Sequence, residues 1–218
     1  MLDTVRIKEK LEKLASRDPK YKVFGAYAHK YVLFPRLSER TVSAFERKWR
    51  VTLPADYRQF LTELGNGGAG PSYGVFKLGE EGDSAAHSKP FRGGAFVRDP
   101  SKPFVHAKAW NLSRSVWKRK PETEGMTTAQ EDRAWAAWDK KRTEDYWRGG
   151  VMNGALPICH LGCALRQWLV VSGRRAGEVW NDNRADDQGI SPVKQGKRHI
   201  GFAEWYEGWL DASLRRRL

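Results

Sequence analysis

Four features of the chain hold residue types that could do chemistry. The first, GNGGAGPSYG at 65–74, contains a G-x-G-x-x-G as Gly65, Gly67 and Gly70. At that spacing, backbone N–H groups can cradle a pyrophosphate when the loop leaves a strand and opens a helix. The second, CHLGC at 159–163, offers the thiols of Cys159 and Cys163 with His160 between them. A zinc site wants four ligands, usually from separated pairs, and only one such pair is present. In a strand His160 would also point away from Cys159, so reduced thiols packed beside a strand are expected and no metal. The third, NDNRADDQG at 181–189, looks superficially like a calcium loop. Counted from Asp182, its third position is Arg184 and its twelfth is Val193, so the alternating oxygens and closing Glu are missing. Its carboxylates are expected to satisfy Arg184 and local backbone N–H groups in a turn. The fourth is a set of five histidines (29, 87, 106, 160 and 199), scattered singly. No G-x-S-x-G, H-E-x-x-H or H-x-E…P-C-x-x-C accompanies them, so the sequence shows no catalytic apparatus and asks for no cofactor.

The elements around these residues decide what they can do. LPADYRQFLTEL, 53–64, reads as a helix with Pro54 in its first turn and Tyr57, Phe60, Leu61 and Leu64 as a buried stripe. YGVFKL, 73–78, reads as a strand. The order is helix, glycine loop, strand, the reverse of a phosphate loop. The glycines are therefore expected to end a helix through positive-φ positions and turn the chain into a sheet.

Upstream, residues 2–16 form a modest helical pattern on Val5, Ile7, Leu11 and Leu14. FGAYAHKYVLFP, 24–35, reads as extended, and Ser38 as the N-cap of a helix to Trp49. Residues 79–103 look like a long loop. Between 107 and 150 the composition shifts to an insertion with its own helix, built on Ala134, Trp135, Trp138 and Tyr146. ALPICHLG and ALRQWLVVSG read as strands, and GRRAG turns the chain so that EVWND returns as a hairpin. GFAEWYEGWLDASL closes the chain as an amphipathic helix burying Phe202, Trp205, Tyr206, Trp209, Leu210 and Leu214. The domain organisation read from this is an N-terminal helical extension, 1–20, and one domain, 21–218, carrying the insertion.

With 218 residues and 40% hydrophobic content the chain can build a sizeable core without disulfides. The N-terminus lacks the apolar region of a secretory signal, and the longest aliphatic run is about WLVV, far short of the ~20 residues of a membrane span. A cytoplasmic protein with no membrane partner is expected. The net charge of +13 invites nucleic acid. The excess is spread along the chain, however, with no zinc-finger, RNP or helix-turn-helix signature, which argues against that partner.

Taken in order, E-x-x-x-x-x-F-E at 39–46, LPADYRQFL, GNGGAGPSYGVFKL, LPICHLGCALRQWLVVSG, GEVWNDNRADDQGISP and the last F-x-x-W-Y-x-x-W-L make the chain resemble the SUKH superfamily of Smi/Knr-type domains over about residues 21–216. The resemblance implies an α+β domain with a mainly antiparallel sheet, helices packed on it and no enzymatic activity. It also implies an immunity protein that binds and neutralises a cognate bacterial toxin domain. The alternative it suggests is a regulatory scaffold in cell-wall or signalling control.

An immunity protein this basic should meet an acidic contact surface. The candidate contacts are Arg174 and Arg175 in the hairpin turn, Lys118, Arg119 and Lys120 in the insertion, and Arg184 beside the acidic loop, because turns on a rigid sheet carry recognition and arginine pairs carboxylates bidentately. Asp182, Asp186 and Asp187 are a second set should the toxin be basic.

Overall fold

The computed structural model describes residues 2–91 and 99–217. Helix α1, Thr4–Arg17, starts where Asp3 accepts from the Arg6 N–H, and it buries Ile7, Leu11 and Leu14 while Val5 stays exposed. A single-turn helix α2, Ala26–His29, interrupts the stretch expected to be extended. It enters through Gly25 and leaves through Lys30 and Tyr31, all at positive φ, and only Leu33 makes a β-bridge, to Gly68. Helix α3, Glu39–Trp49, is capped by Ser38 as its sequence predicts. Helix α4, Ala55–Gln59, follows Pro54 and widens into a π-helical turn, Phe60–Leu64, closed by Gly65 N–H donating to the Phe60 carbonyl at 2.9 Å.

Beyond the glycine loop no regular strand forms over 73–78. Val75 alone bridges to Gly68 and to Cys159, so the segment covers an edge of the sheet without extending it. The expected long loop contains a short hairpin of β1, Glu80–Gly82, and β2, Ser88–Pro90; its remainder at 92–98 lies outside the described residues. The insertion carries α5, Arg114–Trp117, and α6, Thr128–Tyr146, which opens with a Thr127–Gln130 capping box.

The centre of the fold is a four-stranded antiparallel sheet in the order β3 (Ala155–Gly162), β4 (Leu165–Val170), β5 (Val179–Asp182), β6 (Ile190–Pro192). A small hairpin, β7 (Lys194–Gln195) and β8 (Arg198–His199), leads to α7, Phe202–Leu214. The protein is α+β. Alternation along the strands sends side chains to two separate cores. Leu156, Ile158, Leu169 and Val179 face α1, α3, the α4–π segment and α7. Ala155, Trp168, Val170, Trp180 and Ile190 face the other way, under Phe104, Val151 and Met152, which flank the insertion, and under its half-buried Trp110. The chain on either side of the insertion thus covers the second core.

Helix α1 is no detached extension. Its Arg6 and Lys10 pair with Glu207 of α7 at 2.7 and 2.8 Å, and its buried face joins the first core. Among the described residues no helix is long and apolar enough to cross a membrane.

Candidate functional site

The glycine loop is filled by its own backbone. Gly68 and Val75 exchange both backbone hydrogen bonds at 2.8 Å, and Ala69 N–H donates to Val32. Gly67 and Gly68 sit at φ 82 and 101, and a Cβ added to either would lie 2.5 or 2.4 Å from a carbonyl oxygen of Val75 or Val32. Those N–H groups are consumed in joining three chain segments and do not converge on a ligand. Gly65, at φ −179, is simply extended.

Cys159 is buried; its thiol donates to the Pro71 carbonyl at 3.1 Å, and burial pushes its pKa well above the ordinary thiol range. A thiol held protonated in this way is a small apolar filler. Cys163 is exposed in the β3–β4 turn, at φ 48.

The acidic loop does what its composition suggests, and its Asp182–Arg184 pair is thereby withdrawn from the surface. Arg184 makes a fork to Asp182, Nε to Oδ1 at 2.7 Å and Nη2 to Oδ2 at 2.6 Å. Its Nη1 donates to the Tyr146 carbonyl at 2.8 Å, and its guanidinium lies 4.4 Å from the Trp147 ring centre. Both partners of the pair are buried. Asp182 and Arg184 therefore correct two of the expected contacts, since a desolvated pair with its hydrogen bonds filled has nothing left to offer a partner. Asp187 accepts from Arg142 of α6 at 2.5 Å, while Asn111 donates to its carbonyl at 2.8 Å. The Tyr146 hydroxyl accepts from Gly189 N–H at 2.7 Å, and burial pushes its pKa up to about 12. The loop is a clip that fastens the insertion to β5 and β6. Of its carboxylates, Asp186 is the one that is exposed and has no ion pair among the described residues.

The remaining basic candidates divide between the two ends of the sheet, because successive hairpin turns of an antiparallel sheet alternate ends. Arg174 and Arg175 occupy the β4–β5 turn. Arg175 is half-buried and tied down within the molecule, donating to Glu178 at 3.1 Å and to the Ala107 carbonyl at 2.7 Å. Arg174 is exposed with no ion pair among the described residues. Beside it opens a cleft of about 460 Å³ between this turn and the α3–α4 link, lined by Arg50, Thr52, Pro54, Ser172, Gly173 and Gly177. Lys118, Arg119 and Lys120 follow α5 in the insertion, exposed, with the Lys120 ammonium 5.6 Å from the Trp138 ring centre. The structure does not unite the hairpin and insertion sets in one site.

Sequence reasoning missed Arg50, which joins the Arg174 turn only through the tertiary fold. It also missed a trio of solvent-facing rings, Phe24, Tyr27 and Tyr73, packed edge to face at 5.4 and 6.0 Å. The available signal was Gly25 between two large aromatics, which suits a turn better than a strand.

Comparison with known proteins gives one match. The model of the SMI1 / KNR4 family (SUKH-1) matches residues 36–189. Neither a curated protein nor a solved structure matches the chain. The matched span begins just before α3 and ends in the 181–189 loop, so it contains the π-helical turn, the glycine loop, the insertion and the first three strands of the main sheet. With most of its length matched in this way, the chain belongs to the SMI1/KNR4 (SUKH-1) family.

Proposed function

We propose that this protein is a non-enzymatic immunity protein, which binds a toxin domain encoded beside it and neutralises that toxin in the cell that makes it. The observation that carries this reading is membership of the SUKH-1 family, which includes immunity proteins. The arrangement of the side chains supports it. The glycine loop, Cys159 and the Asp182–Arg184 pair, which looked most like chemistry in the sequence, are all taken up in holding segments together. Exposed groups without an ion pair among the described residues lie instead on turns, at Arg174 and at Lys118 and Arg119, the usual place for recognition groups on a rigid scaffold. The net charge of +13 suits a partner with an acidic contact surface.

The test is co-expression with the toxin domain of the neighbouring gene. The wild-type protein should restore growth and co-purify with the toxin. Arg174→Glu should slow association at low salt and leave the fold intact, since Arg174 is exposed and unpaired. Arg175 is unsuited to the same test because its reversal would also break the Glu178 and Ala107 contacts. If the wild type neither restores growth nor co-purifies, the immunity reading fails and the regulatory-scaffold reading replaces it.

A further inference from the structure

The corner carrying Phe24, Tyr27 and Tyr73 is built from three segments distant in sequence: the approach to and exit from α2, the end of the glycine loop, and the β3–β4 turn. Phe24 is 56% exposed and Tyr27 61% exposed. Both rings stand edge-on to Tyr73, which stacks at 5.6 Å on the ring of His160. A Cβ added to Gly162 would touch the rings of both Tyr73 and Phe24, so the cluster lies over the turn. Three aromatic side chains are thus gathered at the surface, where burying them in the core would release more water.

The frame that holds them there is unusual. Left-handed backbone is unfavourable for any residue with a Cβ and persists only where the surroundings over-determine it. Among the described residues eight non-glycine positions adopt it, and six of them (Tyr21, Lys30, Tyr31, Ser72, Cys163 and Ala164) lie in these three segments. Gly25 is driven so close to the neighbouring loop that an added Cβ would lie 2.1 Å from the Ser72 oxygen. Beneath, the Asp18 carboxylate accepts from the Tyr31 hydroxyl at 2.6 Å, the Lys22 N–H at 2.7 Å and the Val23 N–H at 2.9 Å. The rings therefore stand on a rigid base, which removes much of the ordering penalty of binding.

Charge identifies the kind of partner. Lys20, Lys22 and Lys30 flank Phe24 and Tyr27 in sequence, all exposed and without an ion pair among the described residues. The nearest carboxylate in sequence, Asp18, is buried and spent on the hydrogen bonds above. An aromatic centre with a cationic rim matches the anatomy of a protein interface, in which aromatics dominate the centre and lysines are confined to the edge. Resting on the immunity reading, we infer that Phe24, Tyr27 and Tyr73 form the centre of the toxin-binding surface, which leaves Arg174, in the β4–β5 turn at the other end of the sheet, to act on the encounter only through long-range charge steering. The toxin presents to them an apolar side chain flanked by carboxylates.

The experiment measures binding of the neighbouring toxin domain to the wild type, to Phe24→Ser/Tyr27→Ser and to Lys22→Glu/Lys30→Glu, with a thermal melt of each. The serine variant should melt like the wild type, because it trims exposed rings, and should bind at least about 30-fold more weakly through faster dissociation. The glutamate variant should bind more slowly at low salt, with the difference fading as salt is added. Amide exchange in the wild type should slow at 22–31 and 72–74 when toxin is bound, a readout that needs no variant. Wild-type neutralisation combined with serine-variant affinity within about twofold of the parent, or no exchange protection, would overturn the inference and leave the immunity reading standing. Failure of the wild type to bind overturns both. A concentration-dependent dimer of the free protein, abolished by the serine substitutions, would assign the surface to a second copy of the chain and overturn the inference as well.

Discussion

His29 shows how one side chain sets a condition on the whole fold. Its Nδ1 accepts the Tyr31 N–H at 3.1 Å, which puts the ring proton on Nε2, and that buried N–H finds no complete hydrogen bond. Burial lowers the pKa from 6.5 to about 4, and the nearby backbone of Gly70 and Ser72 offsets only part of that effect. The unfolded chain therefore binds this proton more readily than the folded one. The stability contributed by neutral His29 is complete above pH 6.5 and is lost as pH falls toward 4, by roughly 3 kcal/mol. In urea titrations across that window, His29→Asn should lose distinctly less stability than the wild type, because Asn can still accept from Tyr31 and carries no titrating ring. Equal losses would show that other groups set the acid limit. Arg184 teaches a different lesson about what a sequence reveals. Its composition forecasts a carboxylate partner, and Asp182 supplies one. An arginine satisfied in that way cannot also reach outward, so the two expectations held for this residue excluded each other. The conflict became visible only once burial was known.

At the scale of the element, α7 is the piece on which the first core turns. Phe202 is fully buried against Tyr57 at 4.8 Å, Phe60 at 5.0 Å and Trp205 at 5.4 Å. Phe202→Ala should cost about 3–5 kcal/mol by chemical denaturation. Trp209→Ala should cost less, since Trp209 is only half-buried, against Tyr206 and His29, although its amphipathic spacing ranks it with the others. A larger loss for Trp209 than for Phe202 would contradict this packing order. Elements with a sustained period were legible: α1, α3, α6, α7 and the β3–β4–β5 meander all stand where their patterns place them. The segments at 24–35 and 73–78 were not. Their alternation of large and small residues is the signature of a strand, but their shape is set by left-handed turns clamped between distant segments. Only Leu33 and Val75 keep a strand-like partner, because the third segment, Gly67–Ala69, runs between them. The aromatic corner was illegible for the same reason, being assembled by contacts that no local pattern encodes.

For the molecule as a whole, the family match and the folding unit do not coincide. Residues 36–189 omit α1 and α7, which together bring Ile7, Leu14, Phe202, Tyr206 and Leu210 into the first core, each with essentially no exposed surface. Each such side chain contributes about 1.5–3 kcal/mol by leaving water, against a total stability of about 5–15 kcal/mol for a domain. A fragment of 36–189 should therefore lack a cooperative unfolding transition by calorimetry, while the full chain shows one. A sharp transition in the fragment would mean that the two flanking helices are ornaments. The division of the interior into two cores on opposite faces of one sheet has a consequence for how such a protein can change over generations. Substitutions distant from each other and sharing no neighbours add almost independently in their effects on stability. The insertion side, with Trp180, Phe104 and the Asp182 clip, can drift while the helix-covered side keeps its packing, and the reverse holds equally. A lineage under selection can revise one half of its interior at a time, with the other half holding the fold in reserve.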